Sequence, residues 1–196
     1  IGEYIKTHRV ILVCGGGQVC REYQEAAHTL SQPSNRDMDW IGIMATRLNA
    51  ELIRVLFQEL AYERVIYNPE ERLDFASIKK NLIIAAGYEP GWSTDYDAVL
   101  LAKQVLATKV INISNIDYVY TKDPNQFKDA KKIEKISWTE FKQLVGGEFT
   151  PGMHAPFDPM ASKVASKEGI KVIIVKGNNL ENIKHLLQGK AFKGTV

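Results

Sequence analysis

Two glycine-bearing stretches carry residue types from which an anion site can be built. The first is Gly15-Gly16-Gly17, followed by Gln18 to Arg21. Glycine lets a backbone approach a phosphate closely, and a following helix N-terminus supplies N–H donors. Arg21, one turn further on, reaches the same anion as a charged fork. The plainer reading is a tight turn with an exposed arginine, but three successive glycines cost considerable chain entropy for a turn alone. The second stretch is Gly87-Tyr88-Glu89-Pro90-Gly91-Trp92-Ser93-Thr94-Asp95. Ser93, Thr94 and Asp95 offer N-cap chemistry, and the stretch combines Gly, Pro, aromatic and hydroxyl residues that a plain connector does not need. It reads as the substrate-recognising turn.

The carboxylates and one loop leave two readings open each. Asp39 falls in the first turn of a predicted helix, as a dipole-favoured surface acid or as a ligand. Asp95 and Asp97 flank the second stretch, and one of them is an ordinary first-turn acid. Asp158 precedes Pro159, the pattern of an N-cap with proline at the first helical position, or is an acid that organises ligand or metal. The segment Asp117-Tyr118-Val119-Tyr120-Thr121-Lys122-Asp123-Pro124 offers a stacking ring and a carboxylate, the parts needed to hold adenine and ribose; a solvated loop looks similar.

The elements that must position these residues alternate in type. Val10 to Cys14, Leu82 to Ala86, Val110 to Ile113 and Val172 to Val175 are apolar, β-branched runs of the kind buried on both faces of a parallel sheet. Val65-Ile66-Tyr67 reads as a short strand and Phe192 to Val196 as an edge strand. Helical patterns run from Gln18 to about Leu30, with Val19, Tyr23, Ala26, Ala27 and Leu30 on one side, and from about Asp37 to Leu60. In the longer one, Ile41, Met44, Leu48, Leu52, Val55 and Leu56 keep a helical period. Further helices are predicted to end near Ala107, and over Ser137 to Val145, closed by Gly146-Gly147. Two more run from Asp158 to Lys167, closed by Gly169, and from Leu180 to Leu187. Ser114 to Lys135 shows little periodicity. This order predicts an α/β fold: a three-layer αβα sandwich with a mainly parallel central sheet, as one domain over residues 1–196. Ligands in such sheets sit at the carboxyl ends of the strands, so the turns at Gly15–Gly17, Gly87–Thr94 and Ser114–Asp123 should line one edge.

Composition narrows the function classes. The chain has 196 residues, 45% hydrophobic and 24% charged, with a formal net charge of +2, which favours neither nucleic acid nor an acidic membrane. No apolar run approaches the roughly 20 residues that span a bilayer, and no signal peptide is evident. Cys14 and Cys20 form no C-x-x-C pair, which fits a reducing cytosol. His8, His28, His154 and His185 lack metal-ligand spacing, so no protein-held metal is expected. Neither the G-x-G-x-x-G fingerprint nor the P-loop pattern occurs.

Taken together, the motifs resemble the amino acid kinase superfamily, and within it the uridylate (UMP) kinase family, archaeal-type branch. The resemblance rests on Gly15-Gly16-Gly17 with Arg21, Asp39 in the run Asp39 to Thr46, Pro90 to Asp95, Asn115 to Pro124, Asp158-Pro159 and the closing Gly194-Thr195-Val196. It implies phosphoryl transfer from Mg-ATP to UMP, with ATP and Mg²⁺ as cofactors, UMP and ATP as partners, a cytoplasmic location and a homo-oligomer, hexamers included. By match, Gly16 faces the UMP phosphate, Gly17 and Arg21 the transferring phosphate, and Asp39 the UMP ribose. Tyr88, Glu89, Pro90, Gly91, Trp92, Ser93 and Thr94 surround the uracil and phosphate. Ser114, Tyr120 and Asp123 hold ATP, and Asp158 organises the phosphate-binding groups. Arg21 and Asp158 are thus the expected catalytic pair.

Against the family pattern, the chain begins after the family's first strand and glycine turn, which implies an N-terminally truncated domain. Tyr118 also stands where the family has glycine. A related kinase for carbamate, an amino acid or isopentenyl phosphate is the alternative within the superfamily. A non-catalytic nucleotide-binding or storage relative is the alternative outside enzymes.

Overall fold

The computed structural model describes residues 1–145 and 155–196, and the chain divides into two units, Ile1–Val105 and Leu106–Val196. In the first, a single helical turn, α1 (Gly2–Ile5), buries Ile5 and leads into β1 (Val10–Val13). That turn is too short to show a period in the sequence. β1 pairs in parallel with β2 (Leu82–Ala85), Val10 opposite Leu82 and Val13 opposite Ala85. Leu82, Ile84 and Ala86 cluster with Ala50 and Ile53 on one face of β2, while Ile83 and Ala85 cluster with Leu101 and Ile78 on the other. Burial on both faces is why the run is apolar throughout rather than alternating. Parallel pairing also sets both carboxyl ends side by side. Cys14 N donates to Ala85 O at 2.9 Å, so the Gly15 and Gly87 turns leave the sheet at the same end.

Three helices surround this pair: α2 (Gly17–Leu30), α3 (Asn35–Leu56) and α4 (Thr94–Gln104). α3 begins two residues earlier than the sequence pattern suggests, because Ser34 caps it in a reciprocal box with Asp37. It stops at Leu56, short of the expected Leu60. Its buried face carries Ile43, Thr46 and Ala50. The apolar row that shows the helical period lies on the opposite side: Met44 is 58% exposed, Leu48 64%, Leu52 58% and Val55 54%. Tyr23 and Leu30 of α2 are exposed as well. The expected strand at Val65–Tyr67 is reduced to a single parallel bridge, Ile66 to Ala85, with another from Ala61 to Leu82. These stitch the stretch onto β2 through Tyr62 N to Leu82 O and Ile66 N to Ile84 O.

The second unit is built on β3 (Lys109–Ser114), paired in parallel with a later strand, Lys171–Lys176. Between them lie a two-residue antiparallel hairpin, β4 (Val119–Tyr120) with β5 (Lys132–Ile133), and the helices α5 (Trp138–Val145) and α6 (Pro159–Lys167). The Lys171–Lys176 strand is β6, and α7 (Leu180–Leu187) follows it. The stretch Ser114–Lys135 therefore holds order that periodicity could not show, since neither strand exceeds two residues. Thr195 explains the closing Gly-Thr-Val. It bridges antiparallel to Ile174, its hydroxyl accepts from Val119 N (2.8 Å) and donates to Ile133 O, and it is 2% exposed. The expected edge strand at Phe192–Val196 is thus one bridge plus side-chain bonds. Gly146-Gly147, expected to close α5, lie outside the described residues. Among the described residues no helix is long and apolar enough to cross a membrane.

Candidate active site

In the first unit, the two turns and α3 wall an open cavity of about 170 Å³. Gly16 and Cys20 come from the glycine turn and α2, Asp39, Gly42 and Thr46 from α3, and Gly87, Trp92 and Thr94 from the second turn. Of the residues expected to contact the acceptor, Gly16, Asp39, Trp92 and Thr94 are brought together here. Gly16 sits where a side chain does not fit: a Cβ would stand 2.5 Å from the Cβ of Cys20. Arg21 is exposed and lies off the cavity wall. Its guanidinium donates to the Gln18 side chain at 2.9 Å.

Asp39 is not a cap. That work falls to Ser34 and Asp37, and Oδ2 of Asp39 instead accepts from Gly91 N at 2.9 Å. Gly91 needs its glycine, with φ at 88°. Ser93 caps α4 by accepting from Tyr96 N at 3.2 Å, leaving Thr94 as the hydroxyl residue on the cavity wall. Trp92 is held edge-on between two rings, Tyr88 at 5.3 Å and Tyr96 at 4.8 Å between centroids.

The second turn is pinned at its root from α3 and α4. The Thr46 hydroxyl accepts from Gly87 N (2.8 Å) and donates to Ile43 O (2.6 Å). Arg47 donates to Gly87 O (3.3 Å) and Tyr88 O (3.0 Å). Asp97, wholly buried, accepts from Tyr88 N at 3.3 Å through Oδ2, while its Oδ1 has no hydrogen-bond partner among the described residues. Burial pushes the Asp97 carboxyl up to about 7, aided by the charge of Glu89 and opposed by the Tyr88 N–H. The glycine turn is pinned in the same way: Asn49 Nδ2 donates to Gly15 O (2.8 Å) and Gly16 O (3.1 Å). Thr46, Arg47 and Asn49 were not singled out by sequence. For Thr46 and Asn49 the one signal is helical spacing, since Asp39, Gly42, Thr46 and Asn49 fall along one side of α3, away from the exposed apolar row.

Of the residues expected to hold ATP, Gly17 and Arg21 lie in the first unit and Ser114, Tyr120 and Asp123 in the second. Ser114 ends β3 opposite Lys176, and its carbonyl accepts from Gly177 N at 2.8 Å. Tyr120, in β4, meets Tyr118 edge-to-face at 6.4 Å. Asp123 accepts from Asn125 N (2.9 Å) and its carbonyl from Phe127 N, so it shapes its own turn. Asp158 is the α6 N-cap, accepting from Met160 N (2.5 Å) and Ala161 N (3.0 Å). A larger cavity of this unit, about 230 Å³, is walled by Trp138, Phe141, Phe157 and Ile174. None of Ser114, Tyr120, Asp123 and Asp158 lines it.

Comparison with known proteins gives the family. The family profile described as "Amino acid kinase family" matches residues 1–176. The chain belongs to the amino acid kinase family. A uridylate kinase of Methanobrevibacter smithii is 33% identical over 184 residues, 93% of this chain and 81% of that protein. One from Pyrococcus abyssi is 34% identical over 190 residues, 96% of this chain and 84% of its own. The crystal structure of uridylate kinase from Archaeoglobus fulgidus matches with a TM-score of 0.81 at 32% identity, covering 97% of this chain and 85% of that one. Membership of the amino acid kinase family gives the α/β class and a phosphotransferase chemistry that uses ATP.

Proposed function

We propose that the chain is a UMP kinase that transfers the γ-phosphoryl group of Mg-ATP to UMP. A phosphate oxygen of UMP attacks the γ-phosphorus, the bond to the bridging oxygen of ADP breaks, and UDP and ADP leave. The observation that carries this reading is the cavity of the first unit, where the glycine turn, Asp39 and Trp92 face one space. Its lining includes Gly16, Gly42 and Gly87, which let a phosphate approach the backbone closely, and the indole of Trp92, suited to a pyrimidine. The likeness to uridylate kinases over more than nine-tenths of this chain supports uracil as that base.

In this reading Gly16 receives the UMP phosphate, Gly17 and Arg21 serve the transferring group, Asp39 holds the ribose, and Tyr88 to Thr94 enclose uracil and phosphate. Ser114, Tyr120 and Asp123 hold ATP, and Asp158, through the start of α6, keeps the phosphate-binding groups in order. The reaction needs in-line positioning and charge stabilisation more than covalent participation by the protein. Mg²⁺ is taken to enter with the phosphates of ATP, as substrate. Residues 1–196 are taken as one amino acid kinase domain working in the cytoplasm, a reading supported by a family profile that crosses both units. A homo-oligomer, a hexamer among the possibilities, is supported by the exposed row Met44, Leu48, Leu52 and Val55.

A thermal-shift panel of nucleoside monophosphates tests the acceptor. Selective stabilisation by UMP supports the proposal, because a ligand that binds only the native state raises its stability by mass action. Equal or absent response to UMP, with stabilisation by another small acid or phosphate, contradicts it.

A further inference from the structure

We propose that Asn49 is a positioning residue for the phosphate end of the acceptor, acting through the glycine turn; the inference rests on the reading of that turn as a phosphate site. The amide of Asn49 stands against two consecutive carbonyls, Gly15 O at 2.8 Å and Gly16 O at 3.1 Å. Two carbonyl acceptors leave only one assignment of the side-chain amide, with nitrogen facing the turn. In a trans peptide unit the C=O and the following N–H point to opposite sides. Holding Gly15 O therefore sets the direction of the Gly16 N–H, and holding Gly16 O sets that of Gly17. One side chain fixes two of the donors on which the phosphate would rest.

Glycine has no side chain to limit its backbone, and Gly15 and Gly17 are exposed. The Gly16 carbonyl also accepts from Cys20 N at 3.2 Å, an ordinary helical bond that starts α2 and leaves the Gly15 peptide unconstrained. The same helix holds the second turn through Thr46 and Arg47, so α3 is the common support of both turns of the cavity.

The test uses ¹⁵N-labelled protein and two variants. Asn49→Ala removes the amide. Asn49→Asp keeps its volume and replaces the donor with an acceptor. The Gly16 and Gly17 amide resonances are followed as inorganic phosphate is added, and kcat and KM for UMP are measured alongside. The expected result is a phosphate-dependent shift of both amides in the native protein. Its midpoint moves up about tenfold or more in both variants, as loss of two hydrogen bonds implies, and KM for UMP rises with it. Variants that titrate and turn over like the native protein overturn the proposal. So does an Asn49→Asp protein that behaves natively while Asn49→Ala does not, which would show packing. Variants that fail to fold, or native glycine amides indifferent to both phosphate and UMP, overturn it too. Phosphate shifts that depend on Asn49, in a protein that makes no UDP, would leave the positioning role standing and remove UMP as the acceptor.

Discussion

Asp39 is the residue on which the acceptor reading turns. One of its oxygens is engaged with the Gly91 N–H, so it ties the start of α3 to the tip of the second turn while facing the cavity. A hydrogen bond to a charged group contributes about 1.5–3 kcal/mol. Asp39→Ala should therefore raise KM for UMP by about 10- to 100-fold. Because Asp39 is exposed, the melting temperature should move by only a few degrees. Steady-state kinetics with UMP and ATP varied separately check this; an equal rise in both KM values would place the residue elsewhere. Asp97 makes a different prediction. Its folded pKa, about 7, lies above the ordinary 3.8. Between those values the native state holds a proton that the unfolded chain has lost, so stability falls as pH rises through that window. Each pH unit is worth roughly 1.4 kcal/mol, and the loss is complete above about pH 7. Asp97→Asn keeps an acceptor for the Tyr88 N–H and removes the charge. It should raise the melting temperature at pH 8 by several degrees and do little at pH 4. Melting curves at the two pH values decide, and a variant less stable than the native protein at pH 8 would refute the buried charge.

At the scale of elements, α3 has two working faces, and only one was legible. Its apolar row keeps a clean helical period, which a single sequence reads as the buried side. Burial instead follows the opposite face, where small or polar Thr46 and Ala50 let the helix lie against β2 and reach the turns. Periodicity reports a face, not its partner. The strands β1, β2, β3 and β6 were readable because parallel strands covered on both sides are uniformly apolar, and α7 agreed residue for residue. The hairpin β4–β5 was not, since a pair of two-residue strands has no pattern to detect. The two glycine-bearing turns were legible from composition, but their supports were not. Asn49, Thr46 and Arg47 act on backbone atoms more than 30 residues away, and such contacts leave no local trace. The exposed row carries the element-scale prediction. Leu48→Lys with Leu52→Glu should lower the oligomeric state in light scattering while the fold remains, and an unchanged particle mass would exclude this face as the interface.

At the scale of the whole molecule, the family assignment and the geometry bear on different links. The amino acid kinase profile spans residues 1–176 and fixes the fold. The cavity of the first unit brings together a glycine turn, a carboxylate and an indole, and the proposed chemistry rests on them. Uracil specificity is the step between them. Trp92, on the cavity wall, packs at steep angles against Tyr88 and Tyr96, which gives a base an aromatic surface to rest on. The most direct measurement is product formation: the protein incubated with Mg-ATP and each of UMP, CMP, AMP and GMP, with the diphosphates separated by anion exchange. The account predicts UDP as the dominant product, with the other three nucleotides left largely unchanged. ATP consumption without UDP, or equal phosphorylation of all four, would contradict it.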